Sequence, residues 1–190
     1  MNKKLKRELI EWGVLLTVVG VLLVTGWYKE VAGFLQRGLL ETGLLKPDIS
    51  ETHRTADYNF LLINQDGETI NFSEFENEVV FINVWATWCP PCIAEMPDIH
   101  DLFQKVGQDV KFVMISLDEE PSTALNFVER KEFSFPIYFP RNGLPSGFQS
   151  SSIPSTYVLS PEGNIVVEEY GLRKYDTKKF RAFLLSLRKE

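Results

Sequence analysis

Cys89 and Cys92 are the two cysteines of a 190-residue chain, and only Pro90 and Pro91 stand between them. The pair follows the apolar run Val79–Trp85 and precedes a segment, from Pro90 to about Lys105, with helical character. Prolines are tolerated in the first turn of a helix, so they open this one, and Pro97 should kink it. A helix N-terminus offers free backbone N–H groups and the positive end of the macrodipole, and both favour a thiolate. A thiolate is the nucleophile of thiol–disulfide exchange. One helical turn separates the two sulfurs, so Cys92 can resolve a mixed disulfide formed at Cys89. Other uses of the pair weigh less. A static disulfide closing so short a loop adds little stability. A metal centre needs more ligands, and His53 and His100 are the chain's two histidines, one in a polar stretch and one about two turns along the helix.

The elements that must hold this pair alternate. Tyr58–Asn64 and Thr69–Phe72 flank the turn Asp66-Gly67 and read as a hairpin, followed by a helical turn at Ser73–Glu76. Val79–Trp85 and Val110–Leu117 are apolar runs suited to strands buried on both faces. Pro121–Lys131 reads as a helix and Ile137–Phe139 as a short extended piece. Thr156–Leu159 and Ile165–Tyr170 flank Pro161-Glu162-Gly163-Asn164 as a second hairpin. Asp176 is placed to cap a last helix, Thr177–Leu187. This order specifies an α/β domain: a mixed sheet with helices on both faces.

Hydrophobic residues make up 44% of the chain and charged residues 24%, which gives enough apolar surface for a core and excludes wholesale disorder. A net charge of −6 excludes a typical nucleic-acid binder, which needs excess Lys and Arg against phosphates. The charge is uneven. Lys3, Lys4, Lys6 and Arg7 make a basic tip, and Trp12–Tyr28 then carries no charged residue. Spanning a hydrocarbon core takes about 20 residues, and interfacial Trp and Tyr mark its borders. Residues 9–28 are therefore expected to be one transmembrane signal-anchor helix, residues 1–8 a cytoplasmic tip, and the rest extracytoplasmic. No convincing small-x-small cleavage site follows Tyr28. Residues 29–56 read as an amphipathic juncture and polar linker, and 57–190 as the folded domain.

Val84-Trp85-Ala86-Thr87-Trp88-Cys89-Pro90-Pro91-Cys92, then Glu95-Met96-Pro97 and Ile153-Pro154-Ser155-Thr156, resembles the thioredoxin superfamily, and within it the membrane-tethered TlpA/ResA-like thiol–disulfide oxidoreductases. The resemblance covers roughly residues 57–188. It implies a thioredoxin-like fold, a central mixed sheet flanked by helices, with an N-terminal β-hairpin extension. It implies an exposed nucleophile at Cys89, a shielded resolving cysteine at Cys92, and a redox-active disulfide between them. Pro154 matches the family's cis-proline, which would leave the Ile153 backbone free to pair with an extended substrate. Thioredoxin itself carries a buried acid where this chain has Asn83. Glu95 matches the acid that the TlpA/ResA branch carries three residues after its second cysteine, and a partly buried carboxylate there accepts the Cys92 proton. The plainer role for Glu95 is a solvated acid in the first helical turn. Trp88, Pro90 and Pro91 would offer substrate an apolar surface, and Trp85 would pack below. Asp118-Glu119-Glu120 reads as a solvated loop.

The expectation is an enzyme that reduces protein disulfides outside the cytoplasmic membrane, in a periplasm or comparable space, without cofactor or metal. With two cysteines in the chain, electrons must come from another protein, and the resemblance implies a transmembrane donor of the DsbD or CcdA kind. It also implies apocytochrome c among the substrates. A disulfide oxidase or isomerase would use the same residues at a higher potential. A non-catalytic module binding metal or a partner at the same surface is the alternative of a different class.

Overall fold

The computed structural model describes residues 3–25, 38, 40, 45–48, 54–149 and 152–188. Helix α1 is Lys3–Thr25. Its first turns carry Lys3, Lys4, Lys6, Arg7, Glu8 and Glu11, with Arg7 paired to Glu11 at 2.8 Å. The uncharged helical part, Trp12–Thr25, rises about 21 Å, short of the ~30 Å of a hydrocarbon core. Among the described residues no helix is long and apolar enough to cross a membrane. The last positions of the expected span, 26–28, lie outside the described residues, as does nearly all of the juncture.

Among the described residues the domain is built on one eight-stranded sheet. Its strands are β1 Arg54–Thr55, β2 Leu61–Asn64, β3 Thr69–Asn71, β4 Val80–Trp85, β5 Lys111–Ser116, β6 Ile137–Pro140, β7 Ser155–Leu159 and β8 Asn164–Tyr170. Their spatial order is β1-β8-β7-β4-β5-β6-β2-β3. β4 pairs parallel with β5 and antiparallel with β7, and β5 pairs parallel with β6. Every residue of β4 is buried, as a nearly continuous apolar run broken only by Asn83 suits. Arg54 and Thr55, polar enough to read as linker, extend the sheet by pairing with Asn164 and Ile165.

Helices α2 Pro90–Val106, α3 Pro121–Arg130 and α4 Lys178–Ser186 follow β4, β5 and β8. Buried side chains from all three join one cluster with Phe81, Trp85, Phe112 and Met114. Alternate β4 residues, Val80, Ile82 and Val84, belong to a second cluster that no buried residue of α2, α3 or α4 enters. That face is covered by Phe60, Phe72 and Phe148, whose rings stack or tilt at 4.5 to 5.8 Å. The expectation of helices on both faces is thus corrected among the described residues. Strand periodicity says that both faces are buried but not by what, and here a 3-10 turn (Phe72–Phe75) and loops do the covering.

The cap of the last helix differs from the sequence reading. Thr177, not Asp176, caps α4: its hydroxyl accepts from the Phe180 N–H at 3.1 Å. Asp176 instead pairs with Lys105 of α2 and Arg181 of α4. Pro97 lies inside α2, which runs on through it to Val106.

Candidate active site

The parallel pairing of β4 with β5 puts the loops that follow them at the same sheet edge. β7 runs antiparallel to β4, and the Val84–Ser155 register brings the residues preceding β7 to that edge too. Three stretches distant in sequence therefore meet there: 86–92, 117–120 and 152–155. Ligand sites of open α/β sheets lie at such carboxyl ends.

Cys89 and Cys92 are joined by a disulfide. Cys89 is the N-cap of α2, and its sulfur accepts the Cys92 N–H at 3.3 Å. That donor stabilises negative charge on Cys89 once the bond opens. Pro90 and Pro91 fill the first helical positions, half-buried. The Ile153–Pro154 peptide bond is cis, and the Ile153 carbonyl oxygen lies 3.6 Å from the Cys89 sulfur. Trp88, 52% exposed, stands beside the disulfide, while Trp85 is fully buried below it. Cys89 is less open than the resemblance implies. It retains 4% of its surface against none for Cys92, because it folds back under its own helix end with the Ile153 carbonyl against it.

One turn further along α2, Glu95 is completely buried, so it is not a solvated first-turn acid. Asn83 Nδ2 donates to its Oε1 at 2.8 Å and the Arg173 N–H to its Oε2 at 3.2 Å. Both donors favour the carboxylate, yet loss of solvent outweighs them and pushes its pKa up to about 8. Asn83 Nδ2 also donates to Thr156 Oγ1 at 2.9 Å, which ties β4 to β7 beneath the disulfide. Asp98, the next acid along the helix, accepts the Tyr175 and Asp176 N–H groups at 2.6 and 2.9 Å, and burial raises its pKa as well. The Tyr175 phenol is fully buried beside Glu95, which pushes it well up.

Asp118 is not a solvated loop residue. Its carboxylate accepts the Thr87 N–H at 3.0 Å, the Thr87 hydroxyl at 2.6 Å and the Ser116 hydroxyl at 2.8 Å. It thereby fastens the turn that carries Trp88 and Cys89 to the end of β5. The readable signal was Ser-x-Asp leaving a buried strand next to the strand that carries the cysteines. Thr156 and Arg173 gave no such signal, since they reach Glu95 only through the fold. Among the described residues no group of three or more His, Cys, Asp or Glu side chains is arranged to hold a metal ion.

A thioredoxin-like α/β fold with a disulfide at the N-terminus of the helix after its central strand defines the class. The chain belongs to the Redoxin family, whose model matches residues 44–181. It is 34% identical over 102 residues to the thiol-disulfide oxidoreductase ResA of Oceanobacillus iheyensis, covering 53% of each chain. It is 28% identical over 166 residues to ResA of Bacillus subtilis, covering 86% of this chain and 85% of that one. The first relatives are matched over between half and two thirds of their own length. Among solved structures, the fold is similar to a putative thiol:disulfide interchange protein DsbE from Chlorobium tepidum, at TM-score 0.59 and 21% identity over 75% of this chain and 99% of that one. StoA from Bacillus subtilis superposes at TM-score 0.55 and 22% identity, over 72% and 98%.

Proposed function

We propose that the protein is a membrane-tethered, extracytoplasmic thiol–disulfide oxidoreductase that reduces protein disulfides. The observation that carries the reading is the Cys89–Cys92 disulfide at a helix N-terminus, one turn from a buried carboxyl that holds a proton near neutral pH.

In the reduced protein the Cys89 thiolate attacks one sulfur of a substrate disulfide. That bond breaks, a mixed disulfide forms, and the first substrate thiolate takes a proton from water. Cys92 passes its proton to the Glu95 carboxylate and attacks the Cys89 sulfur. The second substrate thiolate leaves, and two electrons have moved to the substrate. The disulfide form described here is the end of that half-cycle, with Glu95 protonated. The thiolate of an external dithiol then attacks Cys89, Cys92 departs as thiolate and takes the proton back from Glu95, and the donor's second thiol, losing its proton to water, displaces Cys89 as thiolate and leaves the donor as a disulfide. The exposed Trp88 indole and the Ile153 backbone beside Pro154 form the docking surface for an extended substrate. The chain's two cysteines are both consumed in this cycle, so the reductant is another protein. The donor that fits is a transmembrane protein of the DsbD or CcdA kind, and apocytochrome c is the substrate class implied by the resemblance.

The reading is tested by equilibrating the Cys89–Cys92 couple of the full chain, in detergent, against glutathione. A reductase sits near the roughly −270 mV of thioredoxin. A value near the roughly −120 mV of DsbA would make the protein a disulfide-forming catalyst instead.

The tether has separate support. Thr17 and Thr25 return their hydroxyl protons to the Gly13 and Val21 carbonyls at 2.8 and 2.7 Å, which satisfies them without water. Trp12, Leu16 and Val24 project exposed from the same helix. The expressed full chain should float with membranes in a density gradient and resist carbonate extraction. A chain with Leu15→Lys and Val19→Lys should be released, and a wild-type chain recovered in the soluble fraction would remove the tether.

A further inference from the structure

Glu169 lies on β8, away from the disulfide and its contacts. Its register partner is Thr156, the residue that shares the Asn83 amide with Glu95. The Glu169 carboxylate is buried and receives two donors: Arg173 Nε at 2.9 Å on Oε2, and the Asp48 N–H on Oε1. The N–H of Arg173 is a donor to Glu95, and the next N–H, of Lys174, donates to the Leu45 carbonyl at 2.7 Å. The short strap Leu45–Asp48, upstream of the sheet, is thus stitched at both ends to the segment that carries a Glu95 donor. A buried carboxylate held by a guanidinium and a backbone N–H is a strong, directional anchor.

We propose that Glu169 is a positioning residue for Glu95: it clamps the Arg173 side chain and the Asp48 backbone together, keeps the Arg173 N–H on Glu95, and so couples the seating of the strap to the proton affinity of the site. This deepens the proposed function and rests on it. A purely architectural ion pair would hold the strap without changing how Glu95 titrates.

The groups facing Glu95 fix the sign. They are Asn83 from β4, itself tied to Thr156 of β7, Arg173 and Tyr175 from the segment before α4, and Asp98 on its own helix. The Arg173 N–H and the Arg173 charge both favour the carboxylate, whereas Asp98 opposes it. When Arg173 is released, both favourable contributions weaken, so Glu95 keeps its proton to higher pH. Losing the Glu169 charge acts the other way but weakly, because Arg173 already neutralises it.

The experiment uses the full oxidised chain and follows the infrared carbonyl band of protonated Glu95, assigned by its disappearance in Glu95→Gln. Disulfide reduction is followed over the same pH range. In Glu169→Gln the Glu95 midpoint should rise by about one unit, with circular dichroism and melting temperature close to the parent. Asp48→Pro removes the strap's donor N–H together with an exposed carboxylate and should move the midpoint the same way by less, which keeps the test open if Glu169→Gln folds poorly. Unchanged midpoints in both variants would overturn the proposal while leaving the Glu95 reading intact. If Glu95→Gln leaves the rate–pH profile unaltered, the proton-transfer role fails, and the midpoint shift still decides whether Glu169 positions Glu95.

Discussion

Replacing Cys92 by serine should give a protein that attacks a substrate disulfide once and stops. Cys89 keeps the Cys92→Ser backbone N–H that stabilises its thiolate, because that donor belongs to the main chain. The mixed disulfide then forms but nothing inside the protein can resolve it, since the chain's second thiol is gone. Intact-mass spectrometry without reductant should show a one-to-one adduct that disappears with dithiothreitol. Multiple-turnover reduction should fall by at least on the order of a thousandfold, the scale seen when one member of a catalytic unit is removed. Cys89→Ser should lose turnover equally and form no adduct, because Cys92 is wholly buried. Adducts at Cys92 in that variant would reverse the assignment of nucleophile and resolving residue.

The second large effect concerns stability rather than rate. Glu95 titrates near its ordinary value of 4.5 when the chain is unfolded and at about 8 when it is folded and oxidised. Below pH 4.5 both states hold the proton, and the stability of the buried neutral acid is present in full. As pH rises, the unfolded chain loses the proton first, so stability drains away until about pH 8, where the folded form ionises too. At 1.36 kcal/mol per unit the limit approaches 5 kcal/mol, and relaxation around the site reduces it to about 2–3 kcal/mol. Urea unfolding of the oxidised protein should therefore show lower stability at pH 8 than at pH 5. Glu95→Gln should remove most of that slope and be the more stable protein at pH 8. A slope of the same size in Glu95→Gln would mean that other groups, Asp98 first among them, carry it.

How far the sequence reached depended on whether a signal was local. The hairpin before β4, the apolar runs of β4 and β5 and the prolines at the start of α2 are local, and each falls within three residues of its expected place. The identity of the face-covering elements is not local. Phe148 covers the second face from a loop without periodicity, so alternation in β4 could not say what lay against it. The same holds at the site. Cys89 and Cys92 announce themselves by spacing, whereas Glu95 stood out only through the resemblance to the TlpA/ResA branch, its place on the helix suggesting a solvated acid. Asn83 looked like an absent acid, yet it donates to the acid that is present on α2. Arg173 enters through a backbone N–H, which any residue but proline supplies, so its identity carries no trace of that role. Asp118 was visible as a residue but not as a clamp, because its partner Thr87 lies across a parallel strand pair.

The sheet's two borders are both made by the same early stretch of chain. β1 closes one side against β8, and β3 closes the other through β2, which lies on β6. Synthesis delivers this stretch first, but its partners β6 and β8 arrive only when most of the domain has been made. The seals must therefore wait, and until they close, β6 and β8 present open hydrogen-bonding rims that invite another chain. Pairings this distant in sequence are slow to form. Between the arrival of β6 and β8 and the closing of these seals the chain is open to intermolecular association, and among the described residues the completed sheet ends in two short strands, of two and three residues.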